Sequence, residues 1–162
     1  MAPAAAAPAG ASNTEANKAG VRAFYDQIIN AHQPDSAGKF CAADVVDHNP
    51  EMGHSGQGLD DMKASFKEWF ASMPDVHVTV DQIVAEGDMV AVVSTMTGTM
   101  KGDMGPMKAT NKSCKVMGTD FIKLKDGKCV ERWGLTDGRA MMMQLGLMPP
   151  PPGAPMGKKM KS

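Results

Sequence analysis

The sequence predicts an α+β fold, in which a curved antiparallel β-sheet wraps around three N-terminal helices to form a cone with an apolar pocket. Two observations support this prediction. Apolar residues recur at three- and four-residue spacing in the first half of the chain, and they alternate with polar residues in the second half. Helices gathered on one face of a bent sheet bury both kinds of apolar surface.

The composition indicates a single domain with a real core. The chain has 162 residues, of which 43% are hydrophobic, and its net charge is -1. No basic surface for nucleic acid is therefore expected, and no apolar run approaches the roughly 20 residues that a membrane-spanning helix needs. Residues 15–147 are predicted to be the folded domain, between a disordered Ala/Pro-rich start (1–14) and a disordered Pro/Met/Lys-rich tail (148–162).

The Ala/Pro-rich start also bears on location. It lacks the positively charged and leucine-rich regions of an intact signal peptide. We therefore expect a soluble protein, either cytoplasmic or exported with its signal already removed.

Three helices are predicted before residue 74. Asn13 or Thr14 can cap the first, which Pro34 would end. Its apolar stripe consists of Val21, Phe24, Tyr25, Ile28 and His32. A short second helix is expected through Ala37, Phe40 and Cys41, followed by a loop over 44–58. The third helix carries the stripe Leu59, Met62, Phe66, Trp69, Phe70 and Met73.

The strands follow. Val76, Val78 and Val80 alternate with polar residues, whereas Ile83 falls out of phase, which predicts a bulge near Gln82. Further strands are expected over 89–100 and 112–125, joined by a glycine-containing loop.

Asp126-Gly127 is a strong hairpin signal, because both residues tolerate the positive φ of a type I′ turn. A regular register from this turn predicts one shared face, which consists of Asp120, Ile122, Leu124, Cys129, Glu131, Trp133, Leu135 and Asp137. Carboxylates among large apolar groups suit neither a dry core nor a plain solvent face, so this face is predicted to line a pocket. Arg132 would lie on the opposite face, as a surface or dimer residue.

The sulfur-containing residues suggest packing roles. The three cysteines, Cys41, Cys114 and Cys129, form no CxxC motif and are expected to be small buried hydrophobes. The sixteen methionines are spread along the chain, which favours flexible core filling over a Met-rich copper carrier, the less favoured alternative. His48 and His54 lack further ligands of a zinc motif, so no metal site is predicted.

Several motifs in order, including DVVDHNP, KLKDGKCVERWGLTD and QLG, resemble the SnoaL-like polyketide cyclase (ester cyclase) family of the nuclear transport factor 2-like superfamily. The resemblance covers roughly residues 17–147. It implies the cone fold, an apolar pocket at its open end and a homodimer formed through the sheet. This superfamily includes both enzymes and non-catalytic binding proteins, so the fold alone does not decide the activity.

The resemblance also implies roles for particular residues. Trp133 and Asp137 match a W-x-x-x-D arrangement in which the Asp acts as general acid/base in an aldol closure without cofactor. Asp137 could equally cap the segment 138–145. His48 would be a polar pocket group or a turn residue. The role of Asp120 follows instead from the regular register, which places it opposite Trp133; the family's cyclases often carry His or Gln there, and Asp120 as a companion carboxylate favours proton sharing. The predicted substrate-binding residues are Trp133, Leu135, Glu131, Ile122, Tyr25, Phe66 and Trp69.

The sequence thus predicts a protein that binds a small hydrophobic carbonyl compound and transfers a proton on it, in an aldol cyclisation or an isomerisation. Asp137, His48 and Asp120 are the predicted catalytic residues, and no cofactor is expected. The alternative is a non-catalytic binding protein of the same fold.

Overall fold

Five strands form one open sheet in the computed structural model, which describes residues 11–153. The strand order is β1-β5-β4-β3-β2. The strands are β1 (Cys41–Asp47), β2 (His77–Glu86), β3 (Met89–Thr99), β4 (Ser113–Lys125) and β5 (Lys128–Thr136). The helices are α1 (Ala11–Phe24), α2 (Leu59–Ser72) and α3 (Gly138–Gln144). The predicted α+β fold is confirmed.

The N-terminal segment of α1 includes residues that were predicted to be unstructured. The helix begins at Ala11, so Asn13 and Thr14 lie in its first turn and not at its cap. Most of the two predicted disordered ends, residues 1–10 and 154–162, lies outside the described residues. None of the helices described is long and apolar enough to cross a membrane.

The edge strand β1 departs from the sequence prediction. Cys41 was expected in a helix and residues 44–47 in a loop, whereas Cys41–Asp47 forms a strand that pairs in parallel with β5. The preceding short helix is a 3₁₀ helix over Pro34–Lys39. The sheet is therefore antiparallel except at this edge. Alternation in Cys41–Asp47 is weak, with only Cys41 and Val45 buried, so its periodicity gave no strand signal.

The helix α1 widens at its end into a π-helical turn over Tyr25–Asn30. Tyr25, Ile28 and Ile29 are buried there, and Asn30 pairs with β2. Its side-chain amide donates to the Val78 carbonyl oxygen at 2.9 Å and accepts from the Val78 N–H at 2.8 Å. This pairing fixes the helix against the concave face of the sheet.

Two bulges shape the antiparallel part of the sheet. The register of β2 with β3 shifts between Val80 and Gln82, which confirms the bulge predicted there. A second shift, in β5, was not predicted: Leu124 pairs with Cys129 but Lys123 pairs with Glu131, which leaves Val130 without a partner. An extra residue moves every following side chain to the other face of its strand.

The core lies between the helices and the concave face of the sheet. Met73 and Met100 are fully buried in it and Met96 is nearly so, as expected of methionines that fill an irregular core. The three cysteines are also buried and free.

A histidine fastens the loop over residues 48–58 to α2. The side chain of His54 is 8% exposed; its Nδ1 lies 3.1 Å from Asp61 Oδ1 and its Nε2 lies 3.1 Å from Glu68 Oε2. Asp61 also accepts the N–H of Gly56 at 2.8 Å. Burial lowers the pKa of His54, but the hydrogen bonds to Glu68 and Asp61 outweigh it and raise that pKa above the usual value.

This arrangement makes stability depend on pH. Because the pKa is raised in the folded state, the contribution of His54 is complete below its unfolded pKa of about 6.5 and is lost as pH rises through the folded value. We expect the difference in melting temperature between wild type and His54→Gln to shrink on going from about pH 5.5 to about pH 9. His77→Gln, at an exposed position of β2, measures the general effect of losing one histidine. A gap that grows with pH would contradict this assignment.

Candidate functional site

An apolar cavity lies between α1 and the sheet. Its volume is about 30 Å³, which is room for roughly one or two water molecules. Its lining consists of Gly20, Val21, Phe24, Tyr25, Phe40, Cys41, Met62, Ile122, Leu124, Gly127, Cys129 and Arg132. Gly127 is exposed, so the cavity reaches the surface beside the β4–β5 turn. Only Tyr25 and Arg132 bring strongly polar groups to this wall.

Tyr25 and Arg132 belong to one hydrogen-bonded network. The hydroxyl of Tyr25 donates to Asp120 Oδ2. Arg132 donates from Nε to Asp120 Oδ1 at 2.7 Å and places Nη2 at 2.7 Å from the same oxygen. Its Nη1 donates to Asp47 Oδ2, also at 2.7 Å. Four side chains, from the π-helical turn after α1 and from β1, β4 and β5, thus converge at one end of the cavity.

Tyr25 and Arg132 both have raised pKa values. Burial raises the pKa of Tyr25 well above its usual value, and the negative charge of Asp120 and the hydrogen bond to it raise it further. Burial lowers the pKa of Arg132, but the charges of Asp120 and Asp47 outweigh it and raise that pKa overall. Tyr25 is therefore a hydrogen-bond donor and Arg132 a cation at any ordinary pH.

Gly134 makes room for the network. It lies opposite Asp120 across the β4–β5 ladder. A Cβ atom at Gly134 would overlap the guanidinium of Arg132 and lie 2.6 Å from Asp120 Oδ1. Only a residue without a side chain lets Arg132 reach across the strand to Asp120.

We expect Gly134→Ala to lower the free energy of unfolding by about 1–3 kcal/mol, because the added methyl group forces the ion pair apart. Urea titration measures this change. The matched control is Gly138→Ala, since a Cβ atom at Gly138 would meet nothing within 4 Å. Equal stabilities of the two variants would contradict the role assigned to Gly134.

The structure brings some of the predicted site residues together. Tyr25 and Ile122 line the cavity, and Asp120 is 7% exposed directly behind the Tyr25 hydroxyl. Phe66 does not line the cavity, but its ring lies 5.9 Å from that of Phe24, which does. Trp69 lies further along α2 and packs on Phe70.

Three other predicted residues lie elsewhere. The prediction that Glu131, Trp133 and Leu135 share a face with Asp120 is wrong, because the bulge at Val130 turns them to the outer face of the sheet. Leu135 is 66% exposed.

His48 belongs to that outer face as well. Its ring stacks on Trp133 at 4.5 Å, and its Nε2 lies 2.9 Å from Glu131 Oε2. The predicted pocket position of His48 is therefore wrong in this structure.

Asp137 caps α3. Its side-chain oxygen accepts the N–H of Ala140 at 3.0 Å, and the residue is exposed at the end of β5. The structure thus matches the capping alternative and places Asp137 outside the cavity lining.

Sequence reasoning missed Arg132 and Asp47. Arg132 was predicted to face away from the pocket, and this is wrong for the same reason: the bulge at Val130 turns it inward. Asp47 was read as part of a loop. The sequence did contain one indication of such a partner, because a buried Asp120 requires a cation beside it. The regular register placed no Lys or Arg on the same face as Asp120, so the partner was not identified.

No group of three or more His, Cys, Asp or Glu side chains among the described residues is arranged to hold a metal ion. Arg132 has five N–H donors, and the contacts above use one on each of its three nitrogens. The remaining N–H donors could bind an oxygen atom of a neutral or anionic ligand.

Comparisons with known proteins agree with this architecture. The family profile described as SnoaL-like polyketide cyclase matches residues 19–145. The chain belongs to this family. A search of functionally characterised proteins gave no match.

Several solved structures have the same fold. A protein of Jannaschia sp. CCS1, assigned as a SnoaL-like polyketide cyclase, is 21% identical over 91% of this chain and 99% of its own, with a TM-score of 0.76. AclR of Streptomyces galilaeus, assigned as a hydroxylase, is 23% identical over 86% and 87%, with a TM-score of 0.72. IdmH of Streptomyces antibioticus, assigned as a polyketide cyclase, is 23% identical over 80% and 98%, with a TM-score of 0.70. Identities this low establish the fold alone.

Proposed function

We propose that this SnoaL-like protein binds a small apolar carbonyl compound in the cavity and transfers a proton on it without a cofactor. One observation carries the proposal: the Tyr25 hydroxyl donates to Asp120 at the polar end of an otherwise apolar cavity, where Arg132 holds the same carboxylate. A buried carboxylate with a donor beside it is the pairing that enolate chemistry needs.

The proposed reaction assigns one role to each group. A carbonyl compound that enters beside Tyr25 accepts the phenol hydrogen bond at its oxygen, which frees Asp120 Oδ2. Asp120 then takes a proton from the carbon next to the carbonyl, and Tyr25 and Arg132 stabilise the enolate oxygen. The enolate can attack a second carbonyl group, as in an aldol cyclisation, or take the proton back at another carbon, as in an isomerisation.

Substrate entry requires the cavity to enlarge, because a volume of about 30 Å³ holds no ketone of this kind. Tyr25 begins the π-helical turn, and such turns are frequent at functional sites. Movement of the Phe24, Phe40 and Met62 side chains would widen the apolar part of the cavity.

The test is deuterium incorporation next to the carbonyl of aromatic and polycyclic ketones in D2O, followed by NMR. We expect wild type to catalyse the exchange and Asp120→Asn to lower its rate by about 100-fold or more. Tyr25→Phe should also lower the rate, because it removes the donor to the enolate oxygen. Asp137→Asn is the matched control, since Asn also caps a helix and should leave the exchange intact.

The other outcomes separate the alternatives. Exchange that survives in Asp120→Asn but is lost in Asp137→Asn would move the base to Asp137. Binding of these ketones without exchange in any variant would favour the non-catalytic binding protein.

We also propose that the protein forms a homodimer through the outer face of the sheet. Met117, Phe121 and Leu135 are 58%, 53% and 66% exposed on that face, which is more apolar surface than a solvated sheet usually shows. In analytical ultracentrifugation, we expect a wild-type dimer and a Phe121→Glu monomer. Met52→Glu, at a 72% exposed position in the loop over residues 48–58 and outside the sheet, is the control. A monomeric wild type would overturn this proposal.

A further inference from the structure

Two of the three cysteines lie side by side in the cavity wall. Cys41 on β1 and Cys129 on β5 are partners in the parallel ladder, and the N–H of Cys129 donates to the Phe40 carbonyl oxygen at 2.8 Å. Both line the cavity, so their side chains point to the same space. Neighbouring strands are about 4.8 Å apart, within the Cα separation of about 4.4–6.8 Å that a disulfide allows.

We propose that Cys41 and Cys129 form an oxidisable dithiol, which hydrogen peroxide entering the cavity converts to an intramolecular disulfide. Hydrogen peroxide is the oxidant that fits the cavity without the widening that a ketone would require, because about 30 Å³ admits a molecule little larger than water. This modification site does not depend on the proposed proton transfer.

The surroundings favour Cys41 as the thiol that reacts first. A hydrogen bond from Cys129 lowers the pKa of Cys41; burial opposes this effect, and the charges of Arg132 and Lys128 support it. Lys128 is held close by its hydrogen bond to the Gly38 carbonyl oxygen at 2.8 Å. The Cys129 thiol has two acceptors within reach, the Cys41 sulfur and the Glu131 carbonyl oxygen at 3.5 Å.

The reaction has two balanced steps. The Cys41 thiolate attacks one oxygen of the peroxide, and cleavage of the O–O bond gives a Cys41 sulfenic acid and hydroxide. The Cys129 sulfur then attacks the Cys41 sulfur, and the sulfenic oxygen leaves as water once it has taken up the thiol proton. Overall, two thiols and one peroxide give one disulfide and two waters, with the sulfurs oxidised and the peroxide reduced.

Cys114 provides a control within the same chain. It is also buried, on β4, but it lies outside the cavity lining, and burial raises its pKa. Oxidation of all three cysteines would indicate a general sensitivity to peroxide, whereas the proposed site predicts oxidation of Cys41 and Cys129 only.

The experiment treats the full-length wild type with hydrogen peroxide, unfolds it in iodoacetamide and maps its peptides by mass spectrometry. We expect a peptide pair joined through Cys41 and Cys129, a mass lower by two hydrogens, alkylation at Cys114 alone and reversal by dithiothreitol. Cys129→Ser should instead accumulate a Cys41 sulfenic acid that dimedone traps, and Cys114→Ser should still form the disulfide. Alkylation of all three wild-type cysteines, or oxidation of Cys114 as fast as Cys41, would overturn the proposal whether or not the variants fold.

Discussion

Replacing Arg132 by Met is expected to lower the free energy of unfolding by about 3 kcal/mol. The substitution removes the shared partner of Asp120 and Asp47, which leaves two carboxylates close together with no cation between them. Asp120 is 7% exposed, so water cannot replace the lost hydrogen bonds. We place the effect at the lower end of the range for buried ion pairs, because 30% of the Arg132 side chain remains exposed.

Chemical denaturation of Arg132→Met beside Lys123→Met tests this expectation. Lys123 also pairs with a carboxylate, that of Glu131 at 3.6 Å, but this pair lies on the outer face of the sheet and is solvated. Its loss should cost less than about 1 kcal/mol. Similar losses in the two variants would show that the network adds nothing beyond an exposed ion pair. Arg132→Lys should be intermediate, because Lys keeps the charge but not the planar fork.

A second large effect is expected for Gly56→Ala, in the loop that follows β1. Gly56 has a φ of +72°, and a Cβ atom there would overlap the carbonyl oxygen of Asp47. The left-handed conformation costs a residue with a side chain about 1–2 kcal/mol, and the steric conflict adds about 1–3 kcal/mol. Moving Gly56 away from Asp47 to relieve the conflict would weaken the hydrogen bond from the Asp47 N–H to the Gly56 carbonyl oxygen, at 2.8 Å.

Gly53→Ala separates the two contributions. Gly53 lies in the same loop with a φ of +93°, but a Cβ atom there would meet nothing within 4 Å. It should therefore show only the conformational cost of about 1–2 kcal/mol. Urea denaturation of both variants measures the difference. If Gly53→Ala costs as much as Gly56→Ala, the contact with Asp47 is not what requires glycine.

Both predictions depend on contacts of Asp47, with Arg132 and with Gly56, that were not predicted from the sequence. Asp47 follows a segment with little alternation, so β1 and its parallel pairing with β5 were not visible in the pattern. Parallel pairing joins segments distant along the chain, and no local turn fixes its register.

The local elements, in contrast, were largely predictable. The apolar stripe of α2, the bulge near Gln82 in β2 and the turn at Asp126-Gly127 each depend on neighbouring residues, and each is present in the structure. The family was identified from the same local motifs, and the match over residues 19–145 confirms it.

The sequence by itself determined the α+β fold and the family, because helix stripes, strand alternation and short ordered motifs are local properties. The tertiary structure decided which side chains meet Asp120. One extra residue, Val130, turns Arg132 inward and Trp133 outward, and whether a strand contains such a bulge depends on the ladder it must fit. Packing between strands therefore decides which side chains of β5 line the cavity. The sequence of β5 alone does not determine this.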